Sequence, residues 1–342
     1  MSSIKKSSSK SGDAPKRDYT KALGPAVPRL ARIPSPARFS LVVLSSLFLS
    51  SVSFTLISNL FVGDLSLVSK HLEEWWEVGG LVAWKAVEIG LAWVLGFDSW
   101  DVASFLYVTH LPTYSLLTFF YGVRPTSTIV SYAITVLSTV IPFYFLRRPA
   151  SVHDLSHAPS GAVANRSILQ DRPTTIYTTL AATSIFTVVL YASYASWLPA
   201  HLVVHFDSIP DISAAHAGPA GLPALFLTLI PTGYAVRDFL FVSSTGHATD
   251  KIVESEHADT EGELLVSAAY RKTWGQLSNK TRILTSRTLM LAAAVYFNTI
   301  VQVAGTIDGV SVEGASLWGA VWTFATLVVG AVFGWIEAVD GV

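Results

Sequence analysis

Twenty-three consecutive residues, Phe39 to Phe61, carry no charge, and this run constrains the chain more than any other feature. A helix of that length reaches about 34 Å, enough to cross the roughly 30 Å hydrocarbon layer of a bilayer. Further apolar runs follow at 81–97, 103–122, 127–146, 175–198, 222–243, 288–306 and 315–336. Most are apolar all round and have no polar face to offer water. In lipid every backbone group must pair within its own segment, which leaves helix as the spanning form. Composition agrees: 14% of residues are charged and mean hydropathy is +0.48, against about 25% charged in a soluble domain. The expected fold is an all-α polytopic bundle of about eight transmembrane helices.

Lys and Arg test that map. With an even number of crossings and the N-terminus in the cytosol, both termini are cytosolic, and nineteen of the 23 Lys/Arg fall on that side. Lys70 and Arg124 are outside, and Lys85 and Arg237 lie within spans. This follows the positive-inside rule. Removing the 81–97 segment, which holds Lys85 and Glu88, would put Arg147 and Arg148 outside, so the count favours keeping it. Trp75 and Trp76 precede that segment, where indoles suit a membrane interface. The sequons at Asn165 and Asn279 then face the cytosol and stay unglycosylated.

Residues 1–38 hold nine Lys/Arg among Ser and Pro, a composition expected to form a disordered basic cytosolic tail. Its prolines and two aspartates argue against an amphipathic mitochondrial presequence, so an endomembrane such as the endoplasmic reticulum is expected rather than the mitochondrial inner membrane. Residues 39–342 form the membrane domain, with a cytosolic loop at 244–287. Within that loop, 263–277 has the pattern of a helix lying on a membrane surface. The absence of cysteine excludes thiolate chemistry and disulfides. A net charge of −1 argues against nucleic acid as a partner. No phosphate-binding, dinucleotide or nucleophile-elbow motif is present, and no cofactor is expected.

Three sets of polar residues are candidates for chemistry. Glu88, His110 and Asn298 fall near the middle of their spans, with Lys85 three residues before Glu88 and Gln302 one turn after Asn298. Ionisable groups at that depth are expensive and mark function by default. Arg237 and Asp238 lie about 8–9 Å from the inner end of their span, beyond a Pro231–Thr232–Gly233 bend that would free a backbone carbonyl. His201 and His205 share a helix face at i, i+4, and with Asp207 they form a weak metal-ligand pattern in an outer loop.

One reading is an enzyme acting on a lipid-soluble substrate within the bundle, in concrete form an acid-initiated cyclase or isomerase of an isoprenoid-type molecule. Glu88, His110 and Asp238 would then be catalytic, and Asn298, Gln302, Arg237 and Lys85 would bind substrate. Two alternatives are a non-catalytic membrane scaffold or assembly factor and a proton-coupled transporter. The expected partners are membrane lipids and a lipid-soluble small molecule. Gly330 and Gly334 in the last span offer a close-packing face, either within the bundle or between two copies.

Overall fold

A computed structural model describes residues 34–66, 68–159, 161–207, 209–247 and 277–339. The basic tail up to residue 33 and the 263–276 part of the expected surface helix lie outside the described residues. The helices are α1 (Ser35–Ser66), α2 (Trp75–Val94), α3 (Ser99–Phe119), α4 (Pro125–Leu146), α5 (Arg166–Gln170), α6 (Arg172–Tyr194), α7 (Leu198–His205), α8 (Leu222–Arg237), α9 (Asn279–Thr306) and α10 (Val312–Val339). A π-helical turn, Asp238–Val242, and one last α turn, Ser243–Thr245, extend α8. The described residues contain isolated β-bridges and no strand.

Among the described residues, six helices are long and apolar enough to cross a membrane: α1, α4, α6, α9, α10 and the Gly218–Thr245 stretch around α8. At 20 and 21 residues, α2 and α3 have spanning length but more polar sequences. Helix ends sort to two faces. On the face where α1 begins, Asp101 at the start of α3 meets Arg287 near the start of α9 and Ser243 at the end of the α8 extension. On the opposite face, Lys70 N–H donates to Thr306 O at the end of α9, and Ser311 N–H donates to His205 O at the end of α7.

The spans begin and end differently from the hydropathy runs. Trp75 and Trp76, 91% and 72% exposed, open α2 rather than preceding it. At the other end of the chain, α9 starts about two and a half turns before residue 288. Ser278 caps it, its hydroxyl accepting from Thr281 N–H at 3.1 Å. Polar first turns containing Lys280, Arg282 and Arg287 hide this start from hydropathy. A helix of 28 residues is about 42 Å long, so both α9 and α10 outreach the hydrocarbon layer.

The α3 helix is the hub. It packs against α4, α8, α9 and α10, and 14 of its 21 residues are buried. That burial explains its polarity: a helix screened from lipid by its neighbours can carry Asp101, Ser104, Thr109, His110, Thr113 and Ser115. Two of its carbonyls near Pro112 accept side-chain bonds, Thr109 O from Asn298 Nδ2 and Pro112 O from Trp318 Nε1, each at 2.9 Å. In the membrane, such bonds and close packing hold helices together in place of a hydrophobic driving force. By contrast α1 is mostly open to lipid and packs chiefly against α4.

Small residues set two close approaches. A Cβ on Gly233 of α8 would lie 2.1 Å from Thr183 Oγ1 and 2.6 Å from the Thr179 carbonyl of α6. A Cβ on Gly330 of α10 would lie 2.2 Å from Thr288 Cγ2 of α9, whereas one on Gly334 would rest 3.5 Å from Leu284 Cδ2. The glycine face of α10 is therefore occupied within the chain by α9. Along α8, the departure from α-helix comes at Asp238 and not at Pro231, through which the α-helix runs on to Arg237.

Candidate functional site

Two polar clusters share α3, six residues or about 9 Å apart along its axis, at Ser104 and His110. The deeper one joins α2, α3 and α9. Glu88 Oε2 accepts from Lys85 Nζ at 2.8 Å, and Glu88 Oε1 lies 2.9 Å from His110 Nε2, off the axis of a straight hydrogen bond. Beside them Asn298 Oδ1 accepts from Trp84 Nε1 at 2.9 Å while its amide donates to Thr109 O. The midplane trio is thus brought together, Asn298 bridging the same two helices that Glu88 and His110 link. Both carboxylate oxygens of Glu88 face a partner, so the group is built into a clamp between helices.

A cavity of about 260 Å³ adjoins this cluster. Its polar lining includes His110, Thr113, Tyr114, Ser131 and Gln302, and no carboxylate is among its described lining residues. Lys85 is drawn to Glu88, leaving His110 and Gln302 as the two candidate residues that face this space. An acid-initiated reaction would need a carboxyl aimed into such a cavity.

The second cluster lies at the face where α1 begins, and of its members only Asp238 is among the candidates read from the sequence. Asp98 caps α3: its Oδ1 accepts the backbone N–H groups of Trp100 and Asp101 at 3.1 and 2.9 Å. Its Oδ2 accepts from Ala150 N–H at 2.7 Å and His153 Nδ1 at 2.8 Å. Arg287 donates twice to Asp101, at 2.6 and 3.1 Å, and also to Phe239 O at 3.0 Å. Its guanidinium lies over the rings of Phe97 and Phe239, about 5 Å from each centroid. Asp238 joins this cluster and not the midplane one: Ser104 donates to it at 3.2 Å, and His153 Nε2 is 3.9 Å away.

Charge accounts for the state of the loop groups here. Burial works against the imidazolium of His153, but the Asp98 bond and the charges of Asp98, Asp101 and Asp238 outweigh it and raise its pKa. Burial likewise works against ionised Asp98, and the His153 bond and charge with the capping N–H groups outweigh it and lower its pKa. Asp98, Asp101 and His153 have ligand atoms within 4.8 Å of one another, a geometry of metal-site kind. Their lone pairs are already committed, four bonds at Asp98 and a bidentate Arg287 at Asp101, and a cation there would have to displace that arginine.

Other candidates stand apart. Arg237 is buried and its Nη2 donates to Thr175 Oγ1 in the first turn of α6 at 3.0 Å, so it does not face the midplane cluster. The His201 and His205 rings do share a face of α7, with centroids 4.4 Å apart. His205 Nδ1 pairs with Ser311 Oγ at 3.0 Å, and Asp207 holds Gly309 O through its backbone N–H. Burial and the neighbouring His205 charge lower the pKa of His201. A third internal link escaped sequence reasoning: buried Glu337, near the end of α10, accepts from Ser244 and Thr245 at the end of the α8 extension. A single acid in an otherwise apolar last turn was the available signal for it, and Asp98-x-x-Asp101 at a helix start was the signal for the larger cluster.

No curated protein and no solved structure matches the chain. Residues 171–301, spanning α6 to most of α9 and including Arg237, Asp238, Arg287 and Asn298, match the family described as the Bouquet formation protein 3 C-terminal domain.

Proposed function

We propose that this chain is a non-catalytic membrane scaffold or assembly factor. The observation that carries this reading is the family match over residues 171–301, whose description names the formation of a structure and no reaction. The geometry is in keeping with it. Glu88 is held by Lys85 and His110, and Asp101 by Arg287, so the internal charges bind helix to helix. In this reading the bundle crosses an endomembrane eight times, with the α1-start face and both termini in the cytosol. Docking then falls to cytosolic segments, the basic residues 1–38 and the 244–287 loop.

The test is complementation of cells lacking the protein, with abundance of each variant measured beside function. Deleting residues 1–33 is expected to abolish function at unchanged abundance. Asp238→Asn and the paired change Lys85→Met with Glu88→Gln are expected to leave function intact. The reverse pattern, full function without the tail and none with the carboxylate variants at normal abundance, would return the intramembrane acid to consideration.

A further inference from the structure

We propose that the corner where α1, α2 and α4 meet, on the face where α1 begins, binds the phosphate headgroup of an anionic phospholipid. A cavity of about 1270 Å³ opens there. Its lining includes Arg38 from the first turn of α1, Trp93 from the end of α2, Trp100 from the start of α3, Tyr144 from the end of α4, and Arg147 and Arg148 just beyond it. Among the described residues none of these three arginines forms an ion pair. The one carboxylate in the lining, Asp154, bonds Ser156 and His157 instead, at 2.9 and 2.8 Å.

Arg147 is fixed in place: Nη1 donates to Trp93 O at 3.0 Å and the guanidinium lies 4.9 Å from the Trp93 ring centre. Arg38 lies close enough for its charge to act on Arg147, although the charges of Asp98 and Asp101 act on it more strongly and in the opposite sense. Its own Nε is buried with no hydrogen-bond partner among the described residues. Like charges gathered around one cavity, with a donor left unused, call for an anion, and guanidinium groups match phosphate oxygens in geometry. The position selects a lipid over a free anion. Trp100, Tyr144, Phe145 and Val94 around the cavity are exposed apolar or amphipathic groups at a helix-end level, where aromatic side chains meet headgroups and acyl chains begin. This binding does not depend on the scaffold reading.

Full-length protein in zwitterionic detergent would be titrated with short-chain phosphatidic acid, phosphatidylserine, phosphatidylcholine and inorganic phosphate, and bound species read by native mass spectrometry. Saturable binding of the two anionic lipids, weaker binding of phosphatidylcholine and weaker binding of phosphate alone are expected. The double variant Arg38→Gln, Arg148→Gln should weaken anionic-lipid binding about 25-fold, or about fivefold per arginine. Phosphatidylcholine binding as tightly as the anionic lipids, or the double variant binding unchanged, would overturn the proposal. Inorganic phosphate binding as tightly as the lipids would overturn its lipid assignment. If the double variant fails to fold, exposed Arg148→Gln alone serves, with about a fivefold loss expected and no loss counting against the site.

Discussion

Arg287 grips Asp101 with two hydrogen bonds of 2.6 and 3.1 Å, joining the first turn of α3 to α9 across 186 residues of sequence. The arginine is further stacked over Phe97 and Phe239, so one side chain ties the hub helix, the α8 extension and α9 together. Arg287→Ala leaves a buried carboxylate without its cation, which should cost about 3–5 kcal/mol. The double variant Arg287→Met, Asp101→Leu should cost much less than the two single changes added. A double-mutant cycle on unfolding in mixed micelles measures both; additive losses would show that the pair is not coupled.

The His153–Asp98 pair predicts a stability optimum in pH. The raised pKa of His153 makes its contribution complete below the ordinary value of 6.5 and lost as pH rises through the raised one. The lowered pKa of Asp98 makes its contribution complete above the ordinary value of 3.8 and lost as pH falls through the lowered one. Thermal stability should therefore be highest between about pH 4 and 6.5 as far as this pair decides it. His153→Gln should flatten the alkaline limb in a series of melting curves from pH 4 to 9.

The two glycines of α10 should respond unequally to alanine. Gly330→Ala puts a methyl into Thr288, at a cost of about 1–3 kcal/mol. Thr288→Ala in the same chain should recover most of it. Gly334→Ala meets only ordinary contact with Leu284 and should be near neutral. Equal losses at the two positions, read from unfolding midpoints, would contradict the α9–α10 packing.

Asn298 makes one bond to α2 and one to α3, through Trp84 and the Thr109 carbonyl. Asn298→Leu removes both and should destabilise by about 1–2 kcal/mol, at roughly 0.6–1 kcal/mol for each interhelical bond lost. Unfolding in mixed micelles is the measurement.

Topology can be checked with sugars. Native sequons at Asn165 and Asn279 should show no glycosidase-sensitive mass shift if the α1-start face is cytosolic. Asp211 is exposed on the opposite face, two residues before Ser213, and Asp211→Asn creates a sequon that should be glycosylated there. Modification at Asn165 or Asn279 would invert the assignment.

Much of the fold was legible because lipid imposes a local rule: about twenty apolar residues per crossing, read without knowing any neighbour. Charge asymmetry favours a crossing at the segment carrying Lys85 and Glu88; that segment is helical, as α2, but α2 is not among the six helices apolar enough to span. Where hydropathy misjudges a boundary, as at the start of α9, the helix continues through polar residues, Lys280, Arg282 and Arg287, that an apolar count passes over. The midplane trio was also legible, since a strongly polar or ionisable group deep in a span is conspicuous wherever its helix points.

Read alone, the sequence carries a helical chain with apolar runs of membrane-spanning length and the expectation that Glu88, His110 and Asn298 share one depth. Those properties follow from each segment's own transfer energy. Only the tertiary structure decided what each polar group faces. Helix rotation brought His110 to Glu88, sent Asp238 to Ser104 and His153, buried Arg237 against Thr175, and filled the Gly330 face with Thr288. It also made the polar α3 the centre of the bundle. Rotation is set by packing among many side chains at once, and no single segment carries that information.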